Sequence, residues 1–454
     1  MTLTLAALLA TTLAGPPVEV GVSRVGETFT AEFRLPRSAP AWGFFRSATA
    51  RVGGQPWRPV SWTVLTPGVR LIHRGRYDAL VGADGKTVPR TVRIRIAPFT
   101  GDLISDYVPA LRLGADGIAL FDGHFALFSV PQASRLDRLP ADLADTPVGD
   151  SGTRVRFVSS PGRLRLAGDV SGYLAGRSAG TYGLFDVPAA IERDGMTTVV
   201  DMTMPPWLAD DVRSFTPRVL ARYRRQLGPA GALKPTVLAS WTGAERPGLS
   251  LNGGVLKGLV LMRLSGRQAT TPNPSVRSAA HRFIAHESAH FWLGQALEYQ
   301  RTADSWIMEG GADLLAIRTL AAEEPAFDAR AALQRSLAGC LAATRRGALA
   351  SAGERGDPEP WYDCGAVLSL VAERVTGGDF GTFVRRMIAA NPDGRISTAE
   401  WLGLLDRAAP GRNLARRALP LIEQPQANAV GWTALLGAAG IRFRLRPDRT
   451  PELL

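Results

Sequence analysis

The sequence predicts a multidomain α+β protein, with an N-terminal antiparallel β region followed by a mainly helical domain that carries a small mixed sheet. Three observations predict it. A length of 454 residues is enough for two or three domains. Up to about residue 195, apolar and polar residues alternate in short runs separated by Gly, Pro and Asp-Gly. From 273 to about 408 the apolar residues recur at helical spacing instead. A hydrophobic content of 45% with mean hydropathy of zero fits a soluble globular chain, not a membrane-embedded one.

Residues 1–14 read as an export leader. TLTLAALLATTLA is a short apolar run ending Thr12-Leu13-Ala14 before Gly15-Pro16-Pro17, which suits a small-x-small cleavage site. The run is too short to span a bilayer comfortably, it has no basic start, and no later segment does better. The expected location is the periplasm or the medium.

Residues 18–195 form the expected β domain. Strand candidates are VEVGVSRVGETFTAEFRLP, VRLIHRGRYDALV, KTVPRTVRIRIAP and IALFDGHFALFSV. Alternation in TVRIRIAP implies one buried face and one wet face bearing Arg. His73 and His124 lie in these strands and read as structural. Near residue 197 the pattern changes. TTVVDMTMPP is a strand running into Pro205-Pro206, and Ser214-Phe215-Thr216-Pro217 then reads as a helix start, with Thr216 as cap and Pro217 in the first turn. PTVLASW is a further strand, and LSLNGGVLKGLVLM reads as one more.

His286-Glu287-Ser288-Ala289-His290 is an H-E-x-x-H pattern. On a helix, positions i and i+4 lie one above the other, so both imidazoles can reach one Zn²⁺ while Glu287 projects beside it. A lone helical His is more often a satisfied core or surface residue. Here three of the five His in the chain fall within ten residues, which composition does not explain. Eighteen residues separate His290 from Glu309, a candidate third ligand in Trp306-Ile307-Met308-Glu309-Gly310-Gly311-Ala312. Two neutral imidazoles and a carboxylate leave a fourth position of a tetrahedral zinc ion open for water. Asp313, four residues after Glu309, either orients His286 through its free ring N–H or is a solvated helix residue.

These segments resemble the aminopeptidase N and leukotriene hydrolase family of gluzincin metallopeptidases. HESAHFWLG resembles the family's H-E-x-x-H-x-W-x-G, and WIMEGGA its W-L-N-E-G-F-A, at the family's spacing of eighteen. The resemblance covers about residues 197–408. It implies a β-sandwich or saddle for the N-terminal domain and a thermolysin-like catalytic domain at 196–410, leaving 411–454 as a tail in which GIRFRLRPD reads as one strand. It further implies one Zn²⁺ per chain on His286, His290 and Glu309, Glu287 as base and acid, and a peptide or protein substrate. Tyr362-Asp363-Cys364-Gly365 resembles the family's Y-E-K-G, which makes Tyr362 the implied oxyanion donor; the alternative is a Tyr packing its ring at a helix start. Where the family has G-x-M-E-N, whose Glu holds a substrate amino terminus, this chain reads Leu251-Asn252-Gly253-Gly254-Val255-Leu256. Gly253 and Gly254 would let a substrate backbone approach. The acid is missing, and neither Glu245 nor Glu298 is an obvious replacement.

Two other readings stay open beside a peptidase or specialised amide hydrolase. One is a non-catalytic zinc- or peptide-binding protein. The other is an Arg-rich surface protein that binds polyanions: the net charge is +12, with 50 Arg and only three Lys. The Arg residues are spread along the chain without interleaved aromatics, which argues against a nucleic-acid partner. Cys340 and Cys364 form either one disulfide or two buried thiols. The oligomeric state is not encoded in any of these features.

Overall fold

The computed structural model describes residues 16–454 apart from 105, 141–142, 144–145, 147, 150–151, 161, 168–179, 194 and 230–234. The expected leader at 1–14 and most of the Gly-rich run at 172–180 therefore lie outside the described residues. The chain divides into two compact units, Met1–Val187 and Pro188–Leu454. The division falls ahead of the 195/196 boundary expected from sequence, because Ile191–Arg193 pairs with Met196–Val200.

The first unit is built of strands. β1 (Val18–Val25), β2 (Thr28–Arg34), β3 (Ala41–Phe44), a short helix α1 (Trp57–Ser61), β4 (Trp62–Val64), β5 (Val69–Arg74), β6 (Tyr77–Gly82) and β7 (Thr91–Ile96) come first. β8 (Ala110–Arg112), β9 (Ile118–Phe121), β10 (Leu127–Val130), β11 (Thr153–Ser159), β12 (Leu164–Leu166) and β13 (Tyr182–Phe185) complete it. Their orders are β11-β1-β2-β7-β4, β10-β3-β6-β5 and β12-β13-β9-β8. Every pair is antiparallel except β1 with β11. Period-2 burial holds where expected: Val92, Ile94 and Ile96 of β7 are buried while Arg93 and Arg95 are exposed. The run from Ile118 to Val130 is two strands rather than one. A helical turn at Asp122–Phe125 sends β9 and β10 into different sheets.

The second unit opens with β14 (Ile191–Arg193), β15 (Met196–Val200), α2 (Pro206–Leu227), β16 (Thr236–Trp241), β17 (Ser250–Leu256), β18 (Leu259–Ser265) and α3 (Pro274–Ala289). The mixed sheet runs β14-β15-β16-β18-β17, parallel at its centre and antiparallel at both edges. The expected single strand over 249–262 is a hairpin, turned at Lys257-Gly258, which leaves β17 as an edge. α2 starts at Pro206, not near Pro217: a proline at the first turn needs no N–H partner, whereas Pro217 sits inside the helix with Thr216 buried beside it. The helical layer follows: β19 (Glu298–Tyr299), α4 (Trp306–Glu323), α5 (Ala329–Arg346), α6 (Glu359–Val375), α7 (Phe380–Ala390), β20 (Arg395–Ile396) and α8 (Thr398–Ala408). Ser397 caps α8 in a reciprocal box with Glu400. The tail is more ordered than one strand: α9 (Leu414–Glu423), α10 (Val430–Ala439) and the pair β21 (Phe443–Leu445) and β22 (Pro451–Leu453) belong to this unit. Leu453 N donates to Gln334 Oε1 at 2.8 Å, fastening the pair to α5. Among the described residues no helix is long and apolar enough to cross a membrane.

Candidate metal centre

α3 is set by its cap and ends at His290. Asn273 Oδ1 accepts from Val276 N at 2.9 Å and Pro274 occupies the first turn. The helix runs through His286 and Glu287 and stops at His290. The chain then turns back through Leu293, whose carbonyl accepts from His290 Nδ1 at 2.7 Å. α4 supplies Glu309 from its first turn and Asp313 one turn later on the same face. Asp313 Oδ1 takes His286 Nδ1–H at 3.0 Å, while its Oδ2 is held by Arg282 at 2.9 Å.

These partners fix the tautomers. A carbonyl oxygen only accepts, so His290 Nδ1 carries the proton, and a carboxylate held by Arg282 asks the same of His286 Nδ1. In the neutral rings both Nε2 lone pairs then face inward. They lie 3.2 Å apart, and Glu309 Oε2 lies 3.3 Å from one and 3.5 Å from the other. With both rings neutral, the state that a metal ion requires, three acceptors converge with no donor between them. Zinc–ligand distances of about 2.0–2.1 Å in a tetrahedron require ligand atoms about 3.3–3.4 Å apart. The triangle matches that edge length, and these three residues are the one His/Cys/Asp/Glu group among the described residues grouped closely enough to hold an ion.

The surrounding charge points the same way. Burial disfavours a charged His286, yet Asp313 and Glu309 override it and lift it to about 10. Burial likewise opposes the charge on His290, and Glu309 raises its pKa nonetheless. Glu309 is held well below the usual carboxylate range, against its burial, by the two imidazoles. A pocket that draws protons this strongly is a pocket that draws cations.

Glu287 is buried, and burial raises its pKa. Its carboxylate fills the space beside Gly253, where a Cβ would lie 2.0 Å from Glu287 Oε1. Only glycine on β17 leaves room for this acid. Gly254 turns to the opposite face and is not part of the cavity lining beside the site, which Leu251, Asn252 and Gly253 join from β17. Tyr362 lies over His286, ring centroids 5.6 Å apart, and lines the same cavity as Glu287. Burial and then Glu309 raise its pKa, so it keeps its proton at neutral pH.

Two glycines sequence reading did not single out bring these helices together. A Cβ on Gly310 would lie 2.0 Å from the Gly365 carbonyl carbon, and one on Gly365 would lie 2.3 Å from Trp306 O. α4 and α6 therefore touch backbone to backbone one residue from Glu309 and three from Tyr362. Cys340 and Cys364 are bonded, joining α5 to α6 two residues beyond Tyr362. Glu245 and Glu298 are exposed and neither lines the cavity. Arg282 was also missed, although its i, i+4 spacing to His286 carried the signal. The Leu293 carbonyl had no signal in the residue types.

His286, Glu287, Asp313 and Tyr362 open on a cavity of about 920 Å³ that follows one face of α3 through Ser275, Ser278, Ala279, Arg282 and Phe283. From Pro274 to His286 that face measures about 18 Å at 1.5 Å per residue, the span of roughly five residues of extended peptide.

No family model and no curated protein matches the chain. Among solved structures it is similar to the M1 zinc metallopeptidase from Deinococcus radiodurans, at 18% identity and a TM-score of 0.48, over 96% of this chain and 94% of that one. It is similar to a variant of a two-domain M1 zinc metallopeptidase bound to L-arginine, at 16% identity and a TM-score of 0.48, over 90% and 94%. Leukotriene A4 hydrolase from Saccharomyces cerevisiae is 13% identical with a TM-score of 0.48, over 91% and 68%. The structural neighbours of this chain are thus M1 zinc metallopeptidases and leukotriene A4 hydrolase, at low identity.

Proposed function

We propose that the chain is a zinc-dependent peptidase that hydrolyses peptide bonds with metal-activated water. The observation that carries the reading is the inward-facing triangle of His286 Nε2, His290 Nε2 and Glu309 Oε2, with edges of 3.2, 3.3 and 3.5 Å, whose His286 and neighbouring Glu287 line a peptide-sized cavity. His286, His290 and Glu309 would hold a zinc ion, which would supply Lewis-acid polarisation of a carbonyl and water of pKa about 7. Glu287 accepts the proton of the attacking water and returns it to the leaving amine, a role suited to a buried carboxylate of raised pKa. Tyr362 keeps its proton and donates it in a hydrogen bond to the developing oxyanion. Asp313 and the Leu293 carbonyl hold the two imidazoles in their tautomers. β17, the edge strand of its sheet, offers main-chain groups to an extended substrate beside Glu287.

Within this class, action without a free amino terminus is favoured by one observation: Leu251, Asn252 and Gly253 bring no carboxylate from β17 to the cavity. The chain then differs from aminopeptidase N in having no carboxylate at this place on β17. The disulfide suits an oxidising compartment, in keeping with an exported protein.

The test is zinc content together with turnover of free and N-acetylated peptides. About one zinc per chain, activity lost on chelation and restored by zinc, and a loss of about 10²–10⁴-fold in kcat for Glu287→Gln with zinc retained are expected. Retained activity in Glu287→Gln would overturn the mechanism. Zinc without turnover of any peptide would leave a non-catalytic binding protein.

A further inference from the structure

The cavity beside the metal centre is lined by charges beyond those already described, and they differ in what they hold. Glu324 accepts from His281 Nδ1 at 2.7 Å. Asp328 caps α5 by accepting from Ala331 N at 2.8 Å. Arg282 is bound to Asp313. Arg335 stands apart: it lines the same cavity, is exposed, and has no acidic partner among the described residues.

Its place along the groove is close to the chemistry. One turn further along α5, Gly339 lies against the carboxylate of Asp363, which directly follows Tyr362. Arg335 lines the same cavity as His286, Glu287 and Tyr362, so a substrate held there can reach both the guanidinium and the reacting groups. Leu251, Phe283 and Phe327 line the same cavity with apolar surface. A guanidinium fork matches a carboxylate bidentately, and apolar walls strengthen that pair by limiting competing water.

The geometry points to a substrate that carries a carboxylate close to the cleaved bond, on an acidic side chain or at a free C-terminus, with Arg335 as the residue that reads it. The inference rests on the peptidase reading above and deepens it. It accounts for two facts together, a cavity with no carboxylate from β17 for an ammonium and an uncommitted guanidinium on its wall.

The experiment uses the full zinc-loaded chain and N-acetylated peptides in matched pairs. One pair differs by Glu against Gln next to the scissile bond, the other by a C-terminal acid against its amide. The acid of at least one pair is expected to win by about 10–100-fold in kcat/KM, as a charge-assisted hydrogen bond supplies. Arg335→Ala should bring the members of that pair within about twofold, through KM, and leave the neutral peptide unchanged. Arg335→Lys, which keeps the charge and loses the fork, should fall between. The pair that responds identifies the source of the carboxylate. Equal rates for acid and neutral peptides, or a preference that survives Arg335→Ala, would overturn the assignment. If no peptide is turned over, the peptidase reading falls by itself. Equilibrium binding of the same pairs to Glu287→Gln protein, with and without Arg335→Ala, then decides: tighter acid binding that disappears with Arg335 upholds the assignment, and equal binding ends it.

Discussion

Each unit buries a cluster of histidine, arginine and carboxylate, and the two clusters differ in what they leave unsatisfied. In the first unit Arg58 is fully buried and bonded to Asp78, and its other amino group donates to Arg46 O at 2.7 Å and His124 O at 3.1 Å. His73 Nδ1 closes on the remaining Asp78 oxygen at 2.8 Å. The rings of Phe44, Trp57 and Trp62 box the guanidinium at 4.1, 4.6 and 5.0 Å. Cation meets anion there, and Arg58 Nε, Trp57 Nε1 and His124 Nδ1 are among the buried polar atoms left without a partner. In the second unit two imidazole nitrogens and a carboxylate oxygen meet with lone pairs inward, beside a cavity. Composition alone does not separate a structural ion pair from a site. The direction of the lone pairs does.

The largest effect that tests this contrast is on stability. Arg58→Ala leaves Asp78 buried without its cation, which costs about 3–5 kcal/mol when one partner of a buried pair is removed. Chemical denaturation followed by tryptophan fluorescence should show that loss, since Trp57 and Trp62 flank the guanidinium. Zinc content should stay at its wild-type value. A loss below about 1 kcal/mol, or a loss of zinc, would remove the distinction between the clusters.

Next in size is the contact between α4 and α6. Gly365→Ala puts a methyl group 2.3 Å from Trp306 O, a backbone atom that cannot rotate away. The helices must part, and Tyr362 is carried away from His286, over whose ring it lies. A misplacement near 1 Å costs up to about 10²-fold in rate. kcat should fall while zinc content stays constant, because none of the three ligand residues lies on α6. Undiminished kcat would mean that Tyr362 only packs its ring.

The residues legible in the sequence were those whose chemistry demands a side chain at fixed helical spacing: His286, Glu287, His290, Glu309 and Asp313. What stayed hidden was carried by the backbone or by tertiary contact. The Leu293 carbonyl has no residue signature, since any residue presents one. Gly310 and Gly365 look like ordinary helix glycines until two helices are laid together. Gly253 and Gly254 read as an equivalent pair, yet strand alternation turns only Gly253 toward Glu287. The start of α2 was misjudged because Pro217 looks like a first-turn proline, while Pro206 holds that place and packing of Phe215, Val219 and Leu220 carries the helix through the second one. Strand alternation gave the first unit's faces, but a turn as short as Asp122–Phe125 was invisible inside an apolar run.

Asp313 offers the finest test of the same contrast, because it resembles Asp78 in bridging a histidine and an arginine and differs in consequence. Asp78 holds a charge that has nowhere else to go; Asp313 holds a ring whose other nitrogen has work to do. In Asp313→Asn the side-chain oxygen can still accept from His286 Nδ1, so the fold should tolerate the change. Arg282 loses its anionic partner, and at 32% exposure its guanidinium reaches water, so little stability is lost on that account. The loss falls on the basicity and aim of His286, and the expected outcome is zinc affinity lower by about 10–100-fold. Competition against a chromophoric chelator at fixed pH measures it, with denaturation midpoints of the zinc-free proteins recorded alongside. Unchanged affinity would reduce Asp313 to a helix acid neutralised by Arg282. A fall in zinc-free stability as large as that of Arg58→Ala would make the two clusters the same kind of object, and the inward lone pairs of His286 and His290 would lose their standing as the mark of a site.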